Sequence, residues 1–352
     1  MTEVRDKKIY FEAMRIIAIA LVIFNHLNGY KLYQISTGLK QWFYMFMTMV
    51  TRINVPLFFM ISGALLLRKE ENFKTVIKKR IFRFALVLVV FETAFFCCYK
   101  FNSDIHGEEF EFTFNRLCRG IFAGNLEELY SYWYLYSHLG ILLTLPFMQR
   151  IAGGINKQDF GVLMFLHFII ASVLPIVNIV FSWKGIKAVG ISGSFLVLFA
   201  TAKAFFYPLI GYYLENHVDV TRLKARQIFS LMSAALAGVV LSCICTLYEG
   251  ITTGTYTQNY VQLFDYMTTI AAFILIKYIV VQKMPQICAG GGIRESICFI
   301  GSLTFGIYLL DPFLKLFLYE RYDAFAEPYL PTLFVSLGWV LISMVLGGTV
   351  TI

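Results

Sequence analysis

Apolar runs of about 18–22 residues recur from one end of this 352-residue chain to the other, each closed by a short polar or basic break. A helix needs about 20 residues, at 1.5 Å each, to cross the hydrocarbon core of a bilayer. Inside that core no water is available to backbone N–H and C=O groups, so each crossing segment must satisfy its own amides as a helix. The composition agrees: 58% of residues are hydrophobic and only 15% charged, with a mean hydropathy of +0.68. A soluble globular chain is about a quarter charged. The pattern predicts an all-α, polytopic membrane protein with about ten transmembrane helices in one bundle, a single domain over residues 1–352.

The expected spans are 9–30, 42–67, 82–100, 130–149, 160–181, 191–214, 227–247, 261–281, 296–318 and 330–351. The second is long enough to tilt or bend, and Pro56 marks where it would kink. Lys and Arg concentrate in the breaks after even-numbered spans, for example Arg68, Lys74, Lys78, Lys79, Arg80 and Arg83. They outnumber those on the other side by about two to one, which puts both termini in the cytoplasm. The basic start at Arg5, Lys7 and Lys8 leads into an apolar stretch too long for a signal-peptide core, so the first helix is expected to be retained.

Although the net charge is +8, the basic residues are dispersed at helix ends, as membrane orientation requires and nucleic-acid binding does not. The seven cysteines fall mostly inside apolar runs, with neither metal-ligand spacing nor a disulfide framework. They read as small hydrophobes, and no metal is expected. No internal repeat or soluble domain is visible.

The first span carries Glu12, Arg15 and His26. A charge within lipid costs about 2.5–3.5 kcal/mol, so such residues face the protein interior and are candidates for function. Arg15 and His26 are eleven residues apart. Eleven steps of 100° leave about 20° of rotation, so the two share a helix face, separated axially by roughly 16 Å. Glu12 lies one turn before Arg15, within pairing distance. A neutral imidazole in a dry pocket suits a general base, and a guanidinium suits a phosphate or carboxylate. A hydrogen-bonded interhelical His with a structural ion pair fits the same spacing. Arg80 and Arg83 stand one turn apart at the cytoplasmic mouth of the third span, placed either to clasp phosphates or simply to anchor the helix. Glu92, Lys203 and Lys277 also fall within spans: Glu92 reads as the partner of an intramembrane cation, Lys203 as a candidate acceptor contact and Lys277 as a snorkelling residue at a helix end.

Taken together, these residues resemble the membrane-bound acyltransferase family 3. The likeness lies in "MRIIAIALVIFNH", whose Arg and His are separated by ten residues as in that family; in "NVPLFFMISGALLL" at 54–67; in the Arg-x-x-Arg pair Arg80 and Arg83; and in weaker blocks at 132–140, 205–215 and 301–312. The resemblance implies transfer of an acyl group, acetyl first among them, from cytosolic acyl-CoA to a hydroxyl of a cell-surface polysaccharide or glycolipid. It implies His26 as the acyl-transfer residue, Arg15 as its support at the CoA site, and Arg80 and Arg83 as holders of CoA phosphates. The nearest branch is that of stand-alone enzymes of a bacterial plasma membrane. Arg52, Trp133, Tyr134 and Asp311 are candidate acceptor contacts, Asp311 standing where the family often has His; an interhelical role fits Arg52 equally well, and an aromatic belt fits Trp133 and Tyr134. Read from the residues alone, a transporter whose charges line a solute path is the competing reading.

Overall fold

In a computed structural model, residues 8–27, 33–68, 70–124, 126–187, 189–190, 202–256, 263–285, 291–329 and 331–351 are described. Helices dominate, and no strand occurs among the described residues. The chain runs through α1 (Ile9–His26), α2 (Gly38–Thr51), α3 (Asn54–Leu66), α4 (Phe82–His106), α5 (Phe114–Ala123) and α6 (Trp133–Gly154). It continues through α7 (Lys157–Phe168), α8 (Lys203–His217), α9 (Ala225–Thr253), α10 (Asp265–Tyr278), α11 (Gly292–Leu314) and α12 (Thr332–Thr351). Eight helical segments among the described residues are long and apolar enough to cross a membrane. This is an all-α polytopic membrane protein. The fourth expected span is met by α6, which Ser137, His138, Gln149 and Arg150 make more polar than the eight. Half of the sixth, at 191–201, lies outside the described residues, and α8 is its remainder.

The second expected span is broken. It forms α2 and α3, parted at Arg52 and Ile53, four and three residues before Pro56. Proline has no N–H for the carbonyl four residues back, and its ring crowds that carbonyl, so the ladder parts there. Other spans carry π turns, at Ile77–Ile81, Ile169–Val173, Ile279–Lys283 and Lys315–Tyr319. The first of these follows a single helical turn, Phe73–Val76, and leads directly into α4. The acidic stretch at 101–129, between the third and fourth expected spans, is largely helical: α4 runs to His106, and α5 starts where Thr113 caps the Arg116 amide.

The structure separates into two compact units, Met1–Lys69 with Met148–Cys298, and Glu70–Phe147 with Phe299–Ile352. In the first unit, α3 and α8 pack with their backbones in contact. A Cβ on Gly63 would stand 2.0 Å from the Pro208 carbonyl oxygen, and one on Gly211 would stand 2.0 Å from that of Met60. Small residues let membrane helices meet in this way, where lipid tails leave no hydrophobic drive and close packing must supply the attraction. Around this crossing Met14, Ile19, Leu57, Phe59, Phe206 and Phe273 are fully or almost fully buried.

Three helix ends meet on one side of the first unit. The Glu215 carboxylate near the end of α8 accepts from Lys8 before α1, from the Tyr10 hydroxyl at 2.6 Å and from Lys277 of α10 at 2.9 Å. These are the ends that alternating spans must bring to the same membrane face. The second unit is built on aromatic contacts: Phe313 of α11 meets Phe91 and Phe95 of α4 edge-on, and Trp339 of α12 packs against Tyr319 and Tyr322.

A side chain at the glycine crossing has nowhere to go. Gly63→Leu is expected to cost about 3 kcal/mol or more, because the obstacle is backbone and cannot rotate away. Thermal unfolding in detergent should show a clear fall in Tm. Gly140→Ala, whose Cβ would meet nothing within 4 Å, should leave Tm unchanged or slightly raised.

Candidate active site

On α1, Glu12 is buried, 4% exposed, and its Oε1 accepts from Arg15 Nη1 at 2.7 Å. The expected pairing one turn apart is present. The other oxygen, Oε2, is shut off from solvent with no hydrogen-bond partner among the described residues. Arg15 itself is half-buried, its side chain 29% exposed. The pair thus neutralises a buried carboxylate while leaving part of the guanidinium open.

At the far end of α1, His26 is the last helical residue and is half-buried. Asn25 beside it is buried. Its Nδ2 donates to the Thr51 carbonyl at 3.3 Å, and its Oδ1 accepts from Thr51 Oγ1 at 3.0 Å. Arg52, half-buried, directly follows α2 at the break. The buried Tyr33 hydroxyl lies in the electric field of both Arg52 and Glu249. Burial raises its pKa, the Arg52 charge opposes that, and the Glu249 charge adds to it. Tyr33 is held by Gln41, which donates to its carbonyl at 3.1 Å and to the Tyr256 hydroxyl at 2.7 Å.

In the second unit, Arg80 sits on the first π turn with its fork filled. Its Nε and Nη2 donate to the two carboxylate oxygens of Glu71 at 3.0 and 2.6 Å. The Arg80 hydrogen bond holds the Glu71 carboxyl below the usual carboxylate range. Arg83, one turn on, is exposed. Trp133 at the start of α6 is 48% exposed, and Tyr134 lies edge-on to Tyr308 at 5.8 Å and beside His138. Asp311 is 1% exposed and accepts from Ser343 Oγ at 3.0 Å, so it is part of the interior. Glu92, expected to face a cation, instead has both carboxyl oxygens within 2.8 Å of the Tyr136 hydroxyl.

Arg15, His26 and Arg52 therefore fall in one unit, and Arg80, Arg83, Trp133, Tyr134 and Asp311 in the other. One lysine departs from its expected role. Lys277 is buried against Glu215 instead of snorkelling, and Lys203 pairs with Asp265 at 2.7 Å. Asn25, Thr51, Glu71 and Glu215 were not singled out in the sequence. The acid ending the run "FFYPLIGYYLE" is the one mark that could have flagged Glu215.

A family model described as an acyltransferase domain matches residues 8–352, almost the whole chain. The chain belongs to the acyltransferase 3 family. It is a membrane acyltransferase, multi-pass by its helices. The match includes Arg15, His26, Arg80 and Arg83, and it runs through both units. No curated relative and no solved structure matches the chain.

The Glu215 cluster makes a sharp energetic prediction. Glu215→Ala leaves the buried Lys277 ammonium without its carboxylate, a loss of about 3–5 kcal/mol. Adding Lys277→Met should restore much of the lost thermal stability, because the stranded charge goes with it. Unfolding midpoints of both single variants and the double would show the coupling.

Proposed function

We propose that this acyltransferase takes an acyl group, most readily acetyl, from cytosolic acyl-CoA. It delivers the group to a hydroxyl of an extracytoplasmic cell-surface polysaccharide or glycolipid, from a bacterial plasma membrane. One observation carries the reading. A single membrane helix, otherwise largely buried, presents a half-buried, carboxylate-paired Arg15 and a half-buried His26 at points roughly 16 Å apart along its axis. A pantetheine arm needs about that reach to carry a thioester from the cytosolic face into the membrane.

The chemistry follows from the residue types. The His26 imidazole accepts the proton of the acceptor hydroxyl. The oxygen then attacks the thioester carbonyl, the C–S bond breaks, and the CoA thiolate leaves and takes the proton back from the imidazolium. In a two-step variant the imidazole nitrogen attacks the thioester first and hands the acyl group on. Arg80 and Arg83 hold the CoA phosphates. What supports this is the chemistry of the fork: the planar pair of donors that Arg80 now turns to Glu71 also fits a phosphate, which would take the place of that carboxylate. Arg15 steadies the donor, while Arg52 and the aromatic side chains Trp133 and Tyr134 meet the acceptor. Asp311, being buried, acts there only through neighbours.

The test uses purified protein in nanodiscs with radiolabelled acetyl-CoA and extracted envelope glycan. His26→Ala should lower label transfer by about 10²–10⁴-fold while the protein stays folded and binds CoA. Arg83→Ala should raise the donor KM about tenfold, the scale of one hydrogen bond to a charged group. Trapped label on acid-quenched protein would select the two-step route. A His26→Ala variant that transfers label at the wild-type rate sinks the assignment. Absence of turnover with every acyl-CoA tried sinks the donor, and solute flux through the wild-type protein would then favour a transporter.

A further inference from the structure

The break between α2 and α3 leaves backbone groups that the bilayer cannot satisfy, and their fate points to a residue with an unassigned task. In an unbroken helix the Val55 amide would donate to the Thr51 carbonyl, and residue 56 would donate to Arg52. Pro56 has no amide hydrogen to give. The Val55 amide donates instead to Asn54 Oδ1 at 2.7 Å. The Thr51 carbonyl is thus released, and Asn25 Nδ2 donates to it at 3.3 Å.

The same carboxamide is held a second time. Thr51 Oγ1 lies 3.0 Å from Asn25 Oδ1 and also 3.0 Å from the Thr48 carbonyl oxygen, its one hydrogen shared between them. Asn25, Thr48 and Thr51 are all buried, so water does not compete for these groups. One hydrogen bond would pin α1 at a point. Two bonds to opposite ends of a planar amide also fix its rotation about the helix axis. His26 is the next residue and the last of α1. Its side chain leaves the helix about 100° around from that of Asn25, so the rotation set by one sets the bearing of the other.

We propose that Asn25 is a positioning residue for His26: by clasping Thr51 at the α2–α3 break it sets the depth and bearing of the imidazole. The proposal rests on the reading of His26 as the acyl-transfer residue. Asn25 touches no reacting atom. It turns the gap made by Pro56 into the anchor for the end of α1.

Asn25→Leu keeps the branching of the side chain at Cγ and removes both bonds, Thr51→Val removes the hydroxyl, and Thr51→Ser restores it. Each is measured as the full chain in nanodiscs, for kcat, for the donor KM, and for the ¹⁵N signals of the His26 ring. Asn25→Leu should lower kcat about 10²-fold, the scale of a misplacement of about 1 Å, with the donor KM within about twofold of wild type. Thr51→Val should lose about tenfold, Thr51→Ser should stay within about twofold, and the double Asn25→Leu, Thr51→Val variant should be no worse than Asn25→Leu alone. The His26 signals should move in Asn25→Leu and Thr51→Val and hold in Thr51→Ser. Wild-type kcat in Asn25→Leu, a donor KM that rises with the fall in kcat, or simple additivity in the double variant would each overturn the proposal. If Asn25→Leu does not fold, the two Thr51 variants decide it, and equal rates in Thr51→Val and Thr51→Ser overturn it. A wild-type protein without transfer whose His26 signals still follow Asn25 defeats the acyl-transfer reading and keeps the clasp. An active wild type whose His26 signals ignore Asn25→Leu defeats the clasp and keeps the reading.

Discussion

Within a bilayer, a carbonyl released from a helix has no water to turn to, and leaving it bare costs several kcal/mol. Much of the polar architecture answers that constraint. The Thr51 carbonyl is met by Asn25, and the Leu66 carbonyl at the end of α3 by Gln149 at 2.8 Å. In the second unit the Tyr132 hydroxyl donates to the Leu309 carbonyl of α11, and the Tyr308 hydroxyl donates to the Ser131 carbonyl, just before α6. The Ser172 hydroxyl donates to the carbonyl of Leu263, just before α10. Each bond joins two segments as well as satisfying one group, so the repair of helix ends and breaks is also what ties the helices together.

Buried charge is handled with the same economy. Glu12, Glu215 and Asp265 each sit against a cation, while Glu92 and Asp311 take neutral hydroxyl partners. Paired in this way, the carboxylates stabilise the fold without offering their charge to a substrate. Arg15 and His26 differ. Both keep part of their surface open on a helix whose other polar residues are enclosed.

The fold was largely legible, because a period set by bilayer thickness is written along the whole chain. The Glu12–Arg15 pair was legible for the same local reason, being one turn apart. So was the place of the break, since Pro56 acts four residues back by geometry that any helix obeys. What could not be read were partners set by tertiary structure. Arg80 finds Glu71 nine residues away across the turn that precedes the π segment, and Lys277 finds Glu215 at a distance of 62 residues. An amphipathic lysine at a helix end reads as snorkelling unless a buried acid is known to wait for it. Asp311 was readable as a departure from its family but not as a buried residue, since its exposure depends on α12, which brings Ser343 to it.

The π turn at Ile77–Ile81 bears on how the cationic mouth and the span beneath it relate. A π turn holds one residue more than the α-helix it interrupts, so it shifts the angular phase of everything on one side by about 100° relative to the other. Lys78, Lys79 and Arg80 lie on the turn, and Arg83 lies below it. The direction in which the upper cations face is therefore not dictated by the lipid-facing and protein-facing stripes of α4. That inserted residue sets the phase of the cationic rim apart from that of the span: the rim takes its aim from the Arg80–Glu71 pair and the π turn, and the span from its own packing stripe.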